Sequence, residues 1–329
     1  MTHTLFPKGH HNRLIHSFCL FVLSLLLSGC METPQTSIKI AINPWPGYEF
    51  LYLAEQKGYF EEEGANIDII QLESLADAQR AYTSNRVDGL ASTLIEAVQA
   101  EHLGGKPLSV VLIADYSNGG DVVVAGTEYT DIASLKGKTV GCEVSSLGLF
   151  VLQRALNNAG MTLDDVTIIN TEQSEGLSSL SEGKIDAFVT YPPSSIEILK
   201  HEQYQKIFDS SEIPFEIVDT LSISNSVLEQ KPQLPAKIHR AWQKALDFTQ
   251  ANPEEAYNLM AKREGISAAE FQDVLSDLVV LSYEDQQPLF EKQQQFENSV
   301  QAVCEALVHA GALQIDCQQQ KPLLWQGGI

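Results

Sequence analysis

From Ser37 onward, apolar residues switch between short runs of strand character and the three-to-four spacing of an amphipathic helix. Residues 38–42 predict a first strand, 49–57 a helix that stops at Gly58, and 66–71 a second strand. Ser74 caps the next helix, with Asp77 three residues on and Leu75, Ala78 and Tyr82 along one face. Residues 89–92 and 108–114 predict further strands. Tyr116-Ser117-Asn118-Gly119-Gly120 then breaks the pattern, and a strand at 121–125 follows with no helix between. That direct passage marks a crossing from one lobe to another.

The plan then repeats. Strands are expected at 139–142, 166–169 and 187–190, helices at 147–157 and 194–200, and a return strand at 220–224 beside 121–125. Beyond it the chain reads as helical over 234–249, 253–262, 267–278 and 299–310, with Pro253 in a first turn and Ser267 as a cap. The recurrence extends to the residues themselves. Asn85-Arg86-Val87-Asp88-Gly89 is matched by Gly183-Lys184-Ile185-Asp186-Ala187. The run 38–42 leads to Trp45-Pro46-Gly47 as 138–142 leads to Ser145-Ser146-Leu147-Gly148. Two similar βαβαβ halves imply an α/β protein with parallel strands, built as two lobes that hold something between them. Residues 37–117 and 225–329 are assigned to lobe 1, on which the last helices pack, and 118–224 to lobe 2.

The N-terminus is a separate object. Lys8 and Arg13, with no acid nearby, precede an apolar stretch at 18–27 that is too short to span a bilayer comfortably. It ends in Leu27-Ser28-Gly29-Cys30, which resembles a bacterial lipobox: small residues suit the peptidase, and the Cys30 thiol takes the lipid. Residues 1–29 are therefore expected to be a signal peptide and 30–36 a tether. The mature protein is expected outside the cytoplasm, periplasmic in a Gram-negative cell, held on a membrane by acyl chains at Cys30. Met31 after the cysteine resembles an outer-membrane-directed signal.

Charge and cysteines narrow the function. With 43 acids against 21 bases the net charge is −22, which argues against nucleic-acid binding. Cys142 reads as a buried free thiol. An oxidising compartment permits a disulfide between Cys304 and Cys317, a pairing that spacing alone does not decide. His102, His201, His239 and His309 are scattered, so no metal site and no cofactor are expected.

In open α/β sheets ligands lie beyond the carboxyl ends of the strands. The candidates there are Asn43, Trp45, Tyr48 and Glu49 after the first strand, and Thr93 after the third. Tyr116, Ser117 and Asn118 stand at the crossing, Glu143, Ser145 and Ser146 after residues 139–142, and Tyr191 after 187–190. Trp45 suits ligand stacking, and Tyr48 either that or packing on its own helix. Glu49, in a first helical turn, serves the dipole or a ligand. Glu143 faces the cleft, and Ser145 is read as an N-cap. Asp88 and Asp186 are read as turn-forming. The cleft so drawn holds Glu49, Asp115 and Glu143 and no arginine or lysine. It therefore suits a small ligand with a flat or apolar part and a neutral or cationic polar group.

Asn43-Pro44-Trp45-Pro46-Gly47-Tyr48-Glu49, running into Leu53-Ala54-Glu55-Gln56-Lys57-Gly58-Tyr59-Phe60, resembles the first segment of the nitrate/sulfonate/taurine class of solute-binding proteins. Ser134-Leu135-Lys136-Gly137-Lys138-Thr139-Val140-Gly141 and Gly183-Lys184-Ile185-Asp186-Ala187 resemble later segments of that family. Tyr116-Ser117-Asn118-Gly119-Gly120-Asp121 is similar to a motif of a lipoprotein branch. The resemblance implies a two-lobed, hinged periplasmic-binding-protein fold of type II, a monomer, with a membrane permease and a cytoplasmic ATPase as partners. Tyr191-Pro192-Pro193 departs from the Trp-x-Pro of many relatives, and Tyr191 is expected to contact the ligand in that aromatic's place.

Three functions compete. The first is a lipid-anchored solute-binding protein delivering its ligand to a transporter, and the second a ligand-sensing partner of a membrane signalling receptor. The third is a pyrimidine-synthase-like enzyme. Relatives of that kind carry a cysteine-rich motif and an active-site histidine, and neither occurs in the cleft segments here. The chain is expected not to be an enzyme.

Overall fold

The structure, a computed structural model, describes residues 1–3 and 37–329. The core of the expected signal peptide, Cys30 and the expected tether lie outside these residues.

Eleven strands form two sheets among the described residues. The first has the order β11-β4-β10-β3-β1-β2, with β1 Ile38–Ile42, β2 Ile67–Gln71, β3 Gly89–Thr93, β4 Leu108–Ser117, β10 Val218–Ser224 and β11 Leu278–Val280. The second has the order β7-β6-β8-β5-β9, with β5 Val122–Gly126, β6 Thr139–Cys142, β7 Thr167–Asn170, β8 Ala187–Thr190 and β9 Tyr204–Asp209. In each sheet the first three strands of the half run parallel with the earliest in the middle. An antiparallel strand then closes on the third: β10 on β3, and β5 on β8.

The two repeated aspartates do the same work. Asp88 accepts from the Lys39 amide at 3.0 Å and gives its own amide to the Lys39 carbonyl at 2.8 Å. Asp186 accepts from the Thr139 amide at 2.8 Å and gives its amide to the Thr139 carbonyl at 2.7 Å. Each pins the turn before a third strand to the first strand of its half, which fixes register.

Two sequence expectations need correction. Residues 220–224 do not lie beside 121–125; as β10 they pair with β3 and β4 in the first sheet. The strand that does flank β5 on that side is β9, whose mixed Tyr204-Gln205-Lys206-Ile207-Phe208-Asp209 carries little alternation. Likewise the helix expected over 267–278 ends at Leu275, and Leu278–Val280 adds an edge strand to β4. Its start is as read: Ser267 and Glu270 form a capping box.

The chain passes between the sheets twice, at 118–121 and 210–217, and the two passages are tied together. Ser210 Oγ meets Ser117 Oγ at 2.8 Å and accepts from the Gly119 amide at 2.7 Å, while the Ser210 amide donates to the Asp121 carbonyl at 2.9 Å. The helices that follow β10 pack against the first sheet's own helices, Leu234–Ala251 on Glu49–Gln56 and Gln293–His309 on Leu94–Ala100. Cys304 and Cys317 form a disulfide across the end of the latter, and Cys142 is a buried free thiol that burial pushes up to about 12.

Candidate functional site

Between the two sheets lies a small cavity lined by Asn43, Trp45, Tyr48, Leu75, Thr93, Asp121, Leu147, Tyr191 and Asp219. Most stand at or beyond the carboxyl ends of β1, β3 and β8, Leu75 and Leu147 begin the helices after β2 and β6, Asp121 precedes β5, and Asp219 lies in β10. The turn after β1 closes with the Tyr48 amide on the Trp45 carbonyl at 2.9 Å, so both rings face the cleft. Gly47 is required there, because a Cβ would lie 1.8 Å from Asp115 Oδ2. Trp45 and Tyr191 meet edge to face from opposite lobes, with ring centroids 6.2 Å apart.

Carboxylates gather behind the rings. The register of β10 sets Asp219 opposite Thr93 on one side and Asp115 on the other. Tyr48 donates its hydroxyl to Asp219, and the Trp45 indole N–H stands 3.4 Å from both Asp115 oxygens. Burial pushes Asp115, Asp121 and Glu143 each up to about 7, and raises Asp219 well above the usual carboxylate range. One oxygen each of Asp121, Glu143, Asp219 and the Asn43 amide is buried without a partner. Neither lysine nor arginine lines the cavity. The described residues contain no cluster of His, Cys, Asp and Glu disposed to hold a metal.

Each lobe caps a helix of the other. Tyr191 Oη accepts the amide of Leu75, the first residue of the helix Leu75–Thr83, at 3.1 Å. Glu96 Oε1 accepts the amide of Leu147, which begins the helix Leu147–Asn158, at 2.8 Å, and the Ser146 hydroxyl at 2.9 Å. On the rim, Arg80–Glu172 at 3.6 Å and Lys200–Glu270 at 3.2 Å also cross the cleft, but exposed pairs of this kind contribute little.

The other sequence candidates fall elsewhere. Ser146, not Ser145, is the N-cap residue, and Ser145 is exposed. Tyr116 stacks edge to face on Phe215, Ser117 ends β4 and ties to Ser210, and Asn118 begins the first passage between the sheets. Glu143 lies beside Gln173, whose amide is 3.4 Å away. Glu49 is turned from the cavity into a buried ion pair with Arg263, whose guanidinium also donates to the Asn43 carbonyl at 2.9 Å. Glu264 is buried alongside, held well above the usual range by burial and by Glu49. Sequence reasoning overlooked Arg263, Glu96, Asp121 and Asp219 as parts of this region. The signal for the last two was an acid placed at each passage between the lobes.

The sequence pattern of the NMT1/THI5-like family matches residues 45–256, more than half of the chain. The chain belongs to the NMT1/THI5-like family. One family relative, the 4-amino-5-hydroxymethyl-2-methylpyrimidine phosphate synthase THI13 of Saccharomyces cerevisiae, is 25% identical over 246 residues, 69% of this chain and 70% of the yeast protein. Among solved structures, the alkanesulfonate-binding protein SsuA from Xanthomonas axonopodis pv. citri matches with a TM-score of 0.73. It covers 88% of this chain and 98% of its own at 15% identity. The periplasmic nitrate-binding protein NrtA from Synechocystis PCC 6803 matches at 0.67, covering 87% and 84% at 13% identity. This NMT1/THI5-like chain thus has the two-lobed periplasmic-binding-protein fold that its resemblance to the nitrate/sulfonate/taurine class implied.

Proposed function

We propose that this chain is an extracytoplasmic solute-binding protein, anchored by lipid at Cys30, that closes on a flat, cationic or protonatable small molecule. It hands that molecule to a membrane permease driven by a cytoplasmic ATPase. The observation that carries the ligand class is the set of unpartnered buried acceptors on the cavity lining, on Asn43, Asp121 and Asp219, with no cation among the lining residues. Buried acids without partners are costly, and a bound cation offsets that cost. Trp45, Tyr48 and Tyr191 add aromatic faces for a ring and its charge. Thr93 also lines the cavity, with its hydroxyl donated to Glu96.

A protonated aminopyrimidine fits these demands. Its ring N–H and exocyclic amine present two parallel donors, which a carboxylate accepts together. The pyrimidine chemistry in the name of the yeast relative supports this choice, whereas the sulfonate and nitrate of the structural neighbours would meet acids. The cavity lining holds neither histidine nor cysteine, which supports capture over synthesis.

Calorimetry on the mature protein tests the reading with 4-amino-5-aminomethyl-2-methylpyrimidine, taurine and nitrate. Saturable binding of the pyrimidine alone is expected. Binding of taurine or nitrate without the pyrimidine overturns it. For the anchor, Cys30→Ser is expected to move the protein from the membrane to the soluble fraction; unchanged membrane association refutes that part.

A further inference from the structure

We infer that Glu96 acts as a built-in anion that sets the charge of the ligand the cleft accepts. The inference rests on the cleft proposed above and names a residue that decides its specificity.

The helix Leu147–Asn158 starts at the cleft, with its first N–H groups and the positive end of its dipole toward the other lobe. Such an end captures anions in general. Ser146, at the N-cap, makes no side-chain cap bond of its own. The cap comes from the opposite sheet. Glu96 follows β3, is fully buried, and accepts the Leu147 amide and Ser146 hydroxyl on Oε1 and the Thr93 hydroxyl on Oε2 at 2.5 Å. Burial raises the Glu96 carboxyl above the usual carboxylate range, and the donors of Thr93, Ser146 and Leu147, all pointing at its oxygens, work against that rise and favour the ionised form.

Two consequences follow from this geometry. A sulfonate, nitrate or carboxylate entering the closed cleft has to compete with Glu96 for the donors it needs, and it meets a negative charge while doing so. Leu147 and Thr93 also line the cavity, so this competition takes place at the cavity wall. Moreover, the donors lie on both lobes: Thr93 on the first, Ser146 and Leu147 on the second. The full set assembles only when the lobes meet, and closure and anion exclusion become one event.

The test uses methanesulfonate as probe, with wild type, Glu96→Ser and Glu96→Gln compared by calorimetry and thermal melts. Serine empties the space at the helix end. Glutamine keeps an acceptor for Leu147 and removes the charge, so it decides alone should the serine variant fail to fold. Wild type is expected to show no saturable binding up to about 10 mM. Glu96→Ser is expected to bind methanesulfonate at least tenfold more tightly than wild type, and Glu96→Gln at least threefold. Folded variants within twofold of wild type overturn the inference. If the wild type still binds the aminopyrimidine in that case, only the role of Glu96 has failed. If wild type itself binds methanesulfonate and not the pyrimidine, the cationic reading of the cleft has failed with it.

Discussion

The hydroxyl of Tyr191, carried past the end of β8, accepts the Leu75 amide at 3.1 Å, so a residue of the second lobe caps a helix of the first. This contact exists only while the lobes touch. Tyr191→Phe keeps the ring against Trp45 and removes the acceptor, at a net cost of about 0.5–1.5 kcal/mol to the closed form. Ligand affinity is expected to fall roughly three- to tenfold. Calorimetry on the phenylalanine variant measures this; an affinity equal to wild type would show that the bond does not contribute to closure.

The buried acids give stability a definite pH slope. Asp115, Asp121 and Glu143 sit near 7 in the folded protein because burial raises them, while in the unfolded chain they ionise near 4. The folded state therefore holds protons that the unfolded state releases between about pH 4 and 7, and ligand-free stability is lost as pH rises through that window. His239, lowered by burial to about 4, acts in the opposite sense below about pH 6.5, as one group against three. A cationic ligand reverses the picture, because ionised carboxylates bind it better. Thermal melts at pH 5.5 and 8 should show the ligand-free protein less stable at the higher pH, and the stabilisation by ligand larger there. A ligand-free Tm that climbs toward pH 8 would contradict this.

Arg263 is the cation on which Glu49 depends. Arg263→Met leaves Glu49 and Glu264 buried together without it, and breaking a buried pair in this way costs about 3–5 kcal/mol. The loss should be greatest near pH 8 and shrink at pH 5.5, where the stranded carboxyls take up protons. Urea unfolding at both pH values measures the difference; an equal loss at the two would mean that no uncompensated carboxylate is involved.

The Cys304–Cys317 disulfide closes a loop with a sequence separation of 13. Loop-closure entropy assigns such a bridge about 3 kcal/mol. Neither cysteine lines the cavity, so the Cys304→Ser, Cys317→Ser double variant is expected to lose about 2–3 kcal/mol in urea unfolding and keep its ligand affinity. A large drop in affinity would instead tie the C-terminal helix to the cleft.

Local features were legible in the chain because they are caused locally. The apolar run Ile38–Ile42, the cap at Ser74 and the capping box at Ser267 depend on neighbours within a few residues. The repeated aspartates were legible as turn formers, but not the strands they pin, 49 and 47 residues away. Pairing across the chain was not. Nothing in Thr220-Leu221-Ser222 says which sheet will take it, and β9 has too mixed a face to announce a strand. Arg263 follows Lys262 in a last helical turn, where bases are ordinary, and its partner Glu49 is 214 positions away. Glu96 in a first turn reads as a dipole carboxylate, and only the approach of the other lobe gives it Leu147.

The bond from the Ser210 amide to the Asp121 carbonyl means that the chain leaves the first sheet and returns to it at nearly one point. The stretch from β5 to β9 is therefore an insert whose two ends already touch. Its two ends are close enough that a short splice would join them without stretching the backbone of either piece. The fold thus nests the second sheet between two neighbouring points of the chain that builds the first.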